Sequence, residues 1–119
     1  MSKEYNYKNF PHIAKAMKTH NTLMPGPNFT LVDFNILCLV KSFHTSGKKF
    51  YITNDQLADQ LLSTEKTVRT AIKRLCDAQL LKKELIDGNR LKGRYLIYQP
   101  NKVEIFIKEM QLAEQEIST

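Results

Sequence analysis

Lys66, Arg69, Thr70 and Lys73 recur at intervals of three and four residues, the spacing that puts side chains on one face of an α-helix. Ammonium and guanidinium groups bind phosphate oxygens and the acceptor edge of guanine, and a hydroxyl serves as donor or acceptor to either. Thr64 and Glu65 precede this set and Arg74 flanks it. Further along, Asn89, Arg90, Lys92 and Arg94 gather around an Asp87-Gly88-Asn89 turn signal. The two groups together have the chemistry of a surface that meets a polyanion.

Placement of charge sharpens this. The 119 residues carry 18 Lys and Arg against 12 Asp and Glu, a formal charge of +6. Residues 66–94 alone hold nine of the bases and three of the acids, so the rest of the chain is formally neutral. Runs of Lys and Arg are usually solvated faces. Confinement of the whole imbalance to one stretch instead favours a single docking face.

Other functions find little support. No Ser/His/Asp set or pair of carboxylates stands out, so no catalytic residue and no enzyme is expected. His12, His20 and His44 lack the short spacing with Cys or acids that zinc requires, and Cys38 and Cys76 sit among apolar residues as core thiols. No metal, cofactor or small-molecule ligand is therefore predicted. Thr45 to Lys49 lacks the upstream glycine and helix of a phosphate loop. The run Leu31 to Val40 is interrupted by Asp33 and Asn35 and is far shorter than the roughly 20 residues that cross a bilayer. With polar residues after Met1, the expected location is the cytoplasm, away from membranes.

Elements that could position these residues are readable from periodicity and caps. A short helix is expected after Pro11, over His12 to Thr19, ended by Pro25-Gly26-Pro27. Thr30 caps a helix over Leu31 to Phe43, apolar on most sides and so buried, with Asp33 as an acid in its first turn. Phe50-Tyr51-Ile52 is β-prone. Two close helices follow, Asn54 to Leu61 and Glu65 to Ala78, the second capped by Thr64 and packing through Val68, Ala71, Ile72, Leu75 and Gln79. Leu80 to Ile86 and Arg94 to Tyr98 make a hairpin, with Tyr95 and Tyr98 in hairpin packing. A last helix runs from about Lys102 to Gln115, with Val103, Phe106, Ile107, Met110 and Ala113 on one face. The domain reading is an N-terminal extension over 1–29, a core domain over 30–99 and a C-terminal helix over 100–119 that is a candidate dimerisation element.

Leu57-Ala58, Leu61, Thr64, Thr67-Val68-Arg69, Ala71 and Leu75, followed by Leu80-Leu81 and a basic hairpin, resemble the winged helix-turn-helix superfamily over roughly residues 30–98. Within it, the pattern is similar to the helix-turn-helix domains of phage and plasmid replication initiators of Gram-positive bacteria and, more loosely, to bacterial transcription regulators. The resemblance implies a mainly α fold with a small hairpin in the order α-β-α-α-β-β. It also implies that Ala58 and Val68 pack the two close helices together. Thr64, Glu65, Lys66, Arg69, Thr70, Lys73 and Arg74 would form a recognition helix for double-stranded DNA, with Asn89, Arg90, Lys92 and Arg94 in the wing. Replication initiation or transcription regulation, in a phage or plasmid, is the implied role. The apolar face of the final helix fits packing either on its own domain or on a second copy in a homodimer. The alternative is a protein-protein adaptor of the same fold.

Three positions depart from the superfamily pattern. Leu62 stands where the turn usually has glycine, followed by Ser63. Glu65 suits the helix dipole but repels phosphate unless it accepts from a cytosine amino group. Gln79 replaces the glycine that commonly closes the second helix, a loss of about 1 kcal/mol if its backbone is left-handed.

Overall fold

The computed structural model describes residues 10–118, without the side chain of Ser118. Residues 1–9 of the expected N-terminal extension and Thr119 lie outside the described residues. Among the described residues, five helices and one hairpin follow in order: α1 (Pro11–Leu23), α2 (Leu31–Thr45), α3 (Asn54–Gln60), α4 (Glu65–Asp77), β1 (Leu81–Leu85), β2 (Arg94–Tyr98) and α5 (Pro100–Ser118). Every expected helix and both hairpin strands are present. The largest boundary difference is in α1, which continues to Leu23 because the chain is not broken before Pro25.

Three helices start in the same way. The hydroxyls of Thr30, Thr53 and Thr64 accept the backbone N–H of Asp33, Gln56 and Thr67 respectively, satisfying donors that the helix itself cannot. At Thr53, Gln56 closes a capping box by accepting from the Thr53 N–H. Three helices also end in the same way. After α2, Lys48 N–H reaches Phe43 O and Gly47 N–H reaches His44 O; Ser63 and Leu62 repeat this pair after α3, and Leu80 and Gln79 after α4. This is the Schellman arrangement, which needs a left-handed residue at its pivot. Gly47 supplies one at φ 73°, but the other two pivots are Leu62 at φ 52° and Gln79 at φ 64°. Gln79 therefore faces solvent beyond the helix end and does not join the packed side of α4.

Helix α2 is central. Phe34, Ile36, Leu37, Cys38 and Val40 are buried in it, packed with Leu57 and Ala58 of α3 and Val68, Ala71, Ile72 and Leu75 of α4 in one core. Burying such side chains contributes about 1.5–3 kcal/mol each, so the helix pair is held by its apolar sides and leaves its polar sides free. Strands β1 and β2 pair antiparallel, with Leu81 opposite Tyr98 and Leu85 opposite Arg94. The β-prone Phe50-Tyr51-Ile52 adds only an isolated bridge, Phe50 to Leu96, because the chain turns into α3 after Ile52.

The expected division at residue 30 is not a packing boundary. Ile13, Met17 and Phe29 belong to the main core, and the rings of His20 and Phe29 meet Phe106 of α5 at 6.0 and 5.8 Å. Asn21 donates to Phe29 O and accepts from Phe29 N–H, both at 2.8 Å, which folds the Pro25-Gly26-Pro27 segment back onto α1. Thr19 and Lys15 both reach Glu114 of α5. The first and last helices thus brace each other beside the central domain.

Candidate nucleic-acid interface

Helix α4 has a buried side and a polar side. Val68, Ala71, Ile72 and Leu75 are buried, whereas Glu65, Lys66, Arg69, Thr70 and Lys73 are exposed. The polar side is internally ordered by weak contacts. Arg69 lies 3.8 Å from Glu65 and Lys73 lies 3.0 Å from Asp77, both one helical turn apart. Exposed pairs of this kind are worth about 0.3–0.5 kcal/mol, so the cations exchange partners at little cost. Thr70 donates to Lys66 O, and Thr64 both caps the helix and donates to the Thr67 hydroxyl. Thr64 therefore sits at the exposed start of α4 as its structural cap.

Arg74 is not part of that face. Its Nε donates to Asp33 Oδ2 at 2.6 Å and its Nη2 to Asp33 Oδ1 at 3.2 Å, a two-point grip on a carboxylate with no solvent exposure. Thr30 donates to the same carboxylate at 2.8 Å. A buried charge needs such partners. The expectation that Arg74 contacts DNA is corrected accordingly: it ties α4 to α2.

Arg94 is likewise withdrawn from solvent. It donates to Ile52 O at 2.7 Å and to Asn54 Oδ1 at 2.5 Å, joining β2 to the start of α3. Burial lowers its pKa, offset in part by the nearby Cys76 thiol. Its expected role at phosphate gives way to a structural one, because both bonded nitrogens are committed inside the protein.

Asn89, Arg90 and Lys92 remain exposed on the hairpin loop. That loop is a tight left-handed turn, with Asp87 at φ 53°, Gly88 at φ 67° and Asn89 N–H on Ile86 O at 2.9 Å, followed by a single 3-10 turn over Arg90–Lys92. Asn89 Oδ1 accepts from Leu91 N–H at 2.9 Å, Ile86 N–H reaches Gly93 O at 3.0 Å, and Gly93 adopts φ 98°, which a side chain would disfavour. Lys92 pairs with Asp87 at 3.1 Å. At the foot of the hairpin, Tyr98 is buried, and Tyr95 packs against Tyr51 with Lys49 over its ring, so both tyrosines serve packing. Lys82 and Lys83 on β1 add exposed positive charge that lay within the basic segment but outside the expected site.

Among the described residues there is no cluster of His, Cys, Asp or Glu able to hold a metal ion, and no helix is long and apolar enough to cross a membrane.

The arrangement of α2, α3, α4 and the hairpin matches solved structures. The transcriptional regulator BldR from Sulfolobus solfataricus superposes with a TM-score of 0.52 at 16% identity, over 93% of this chain and 70% of BldR. MepR, a transcription regulator of the Staphylococcus aureus multidrug efflux pump MepA, superposes with a TM-score of 0.51 at 15% identity, over 98% of this chain and 83% of MepR. MepR bound to ethidium bromide gives 0.50 at 12% identity, over 98% of this chain and 82% of that one. The fold is a winged helix-turn-helix. Helices α3 and α4 are its helix-turn-helix and the hairpin its wing. No family model and no curated protein matches the chain.

Proposed function

We propose that the chain is a double-stranded DNA-binding regulator. The observation that carries this reading is the division of α4: four apolar residues fix it to the core while Lys66, Arg69, Thr70 and Lys73 stand exposed on its polar side. A major groove about 12 Å wide admits such a helix with its side chains at the base edges. Arg69 reads guanine in this arrangement, Lys66 and Lys73 hold phosphates, and Glu65 at the start of the helix accepts from a cytosine amino group. Arg90 and Lys92, with the Asn89 amide, engage the flanking backbone or minor groove. The site marks an operator or a replication origin, and the resemblance to phage and plasmid initiators supports the second use.

A homodimer through α5 accompanies this reading. Ile105 and Leu112, two helical turns apart, remain exposed on that helix while Glu114 on its other side meets α1. A two-fold dimer reads an inverted repeat whose half-sites lie about 10 base pairs, or a multiple, apart.

Fluorescence anisotropy with random-sequence duplex DNA at increasing salt tests the reading. Five exposed cations, Lys66, Arg69, Lys73, Arg90 and Lys92, give a slope of log affinity against log salt of about −4 to −5 per protomer. A flat response, or no binding at low salt, removes DNA as the partner and leaves an adaptor for an acidic protein.

A further inference from the structure

Leu91 is 94% exposed at the apex of the wing, set between the cations Arg90 and Lys92. Nothing in the core cluster uses it. Single exposed apolar residues are common on protein surfaces, but this one is held out by a built loop. The Asn89 side chain accepts its N–H, Lys92 N–H bonds to Asn89 O at 3.0 Å, and Gly93 N–H bonds to Arg90 O at 3.3 Å. The neighbouring Ile86 turns inward instead and is partly buried, with its methyl beside Gly93. The loop therefore separates two apolar residues, one used as its footing and one presented to solvent.

We propose that Leu91 is a minor-groove wedge, an inference that rests on the DNA-binding reading above. The flanking positive charges identify the occupant of the site as a polyanion, because a protein partner chosen for Leu91 alone would not need a cation on each side. Narrow minor grooves attract Arg and Lys through their enhanced negative potential. An aliphatic side chain carried in with them enters between base pairs, unstacks one step and bends the duplex toward the major groove. Pyrimidine-purine steps such as TA open at least expense, so the wedge makes the protein prefer a TA or CA step beside the half-site read by α4. Specificity then arises at a position where no base edge is hydrogen-bonded. Asp87, whose carboxylate holds Lys92 at 3.1 Å, releases it to phosphate as the wing enters.

The test uses the full chain and duplexes recovered by selection from a random library, labelled with a donor and acceptor dye at their ends and with 2-aminopurine at the step facing the wing. Wild type is expected to brighten 2-aminopurine and shorten the end-to-end distance. Leu91→Ala is expected to lose both signals and bind about tenfold more weakly, since the burial of one leucine is forgone, with an unchanged salt slope. Leu91→Met is expected to retain both signals. An unchanged thermal melt in each variant confirms folding, as the 94% exposure of Leu91 requires. If Leu91→Ala binds and bends the duplex as wild type does, the wedge is wrong while the DNA-binding reading stands. If wild type binds no duplex, both fall.

Discussion

Arg74 of α4 grips Asp33 of α2 across 41 residues of sequence, with the carboxylate fully buried and the guanidinium side chain 22% exposed. The asymmetry matters for energetics as well as for orientation. The planar guanidinium fork meets both carboxylate oxygens and so fixes the rotation of α4 about its own axis. That rotation decides which residues of α4 face outward. A charge that belongs to the basic segment in sequence thus works inside the molecule, aiming the others.

Removing either partner has unequal consequences. Arg74→Ala leaves a buried carboxylate without its cation and is expected to lower stability by about 3–5 kcal/mol. Asp33→Ala is expected to lose less, because the partly exposed guanidinium can turn toward water. The double replacement Asp33→Leu with Arg74→Met is expected to recover most of the loss, as apolar substitutes for buried pairs often do. Urea midpoints for the three variants check the order, and equal losses for both single variants contradict it.

The left-handed pivots after α3 and α4 give a second prediction, in the opposite direction. Leu62 is 95% exposed and Gln79 is exposed, so neither contributes packing that a substitution would remove. Leu62→Gly and Gln79→Gly are each expected to raise stability by about 0.5–1 kcal/mol, the relief of left-handed strain exceeding the entropy lost by a freer unfolded chain. Leu62→Ala keeps the strain and is expected to show no gain. Because the two pivots end different helices, the gains should add in a double variant. Thermal melts measure all four.

Much of this architecture is legible in the sequence because it is local. Caps at Thr30 and Thr64, the alternation of buried and exposed positions on α4 and the turn residues of the wing all act within a few residues. What escapes is long-range. Arg74 and Arg94 carry the same formal charge as their exposed neighbours, and only tertiary contact shows that one meets Asp33 and the other Ile52 and Asn54. A signal was present for the first: Asp33 interrupts an apolar run, and an acid on a helix buried nearly all round must find a cation. None was present for the second, since Arg94 begins a strand as an exposed residue could. Phe50 to Ile52 has strand propensity but reaches the hairpin only through one bridge, a limit set by where α3 begins.

Alkaline conditions should weaken the fold through two buried acids. Burial pushes the Tyr98 phenol up to about 12 from 10, with Glu104 and Cys38 adding to the shift, and the Cys38 thiol up to about 12 from 9, opposed in part by Lys41. The folded state thus holds protons that the unfolded chain releases, so stability is complete below pH 9 and falls as pH rises from there toward 12. Tyr98→Phe is expected to leave neutral stability nearly unchanged and to reduce the decline above pH 10. Urea titrations at stepped pH measure it, and an identical alkaline decline in the variant removes Tyr98 from the account.

Arg69 and Lys92 separate reading from holding. Both are exposed, yet Arg69 lies on the outer face of α4 and Lys92 at the edge of the wing loop. A guanidinium at a guanine edge discriminates by about 1–3 kcal/mol, whereas an ammonium at a phosphate contributes without regard to sequence. Arg69→Ala is therefore expected to relax the preference at one base position, and Lys92→Ala to weaken all duplexes alike while reducing the salt slope by about one. Selection from random duplexes with each variant, followed by anisotropy at several salt concentrations, distinguishes the two. Sequence-blind losses of the same size for both would take base reading away from Arg69 and leave α4 as a phosphate contact only.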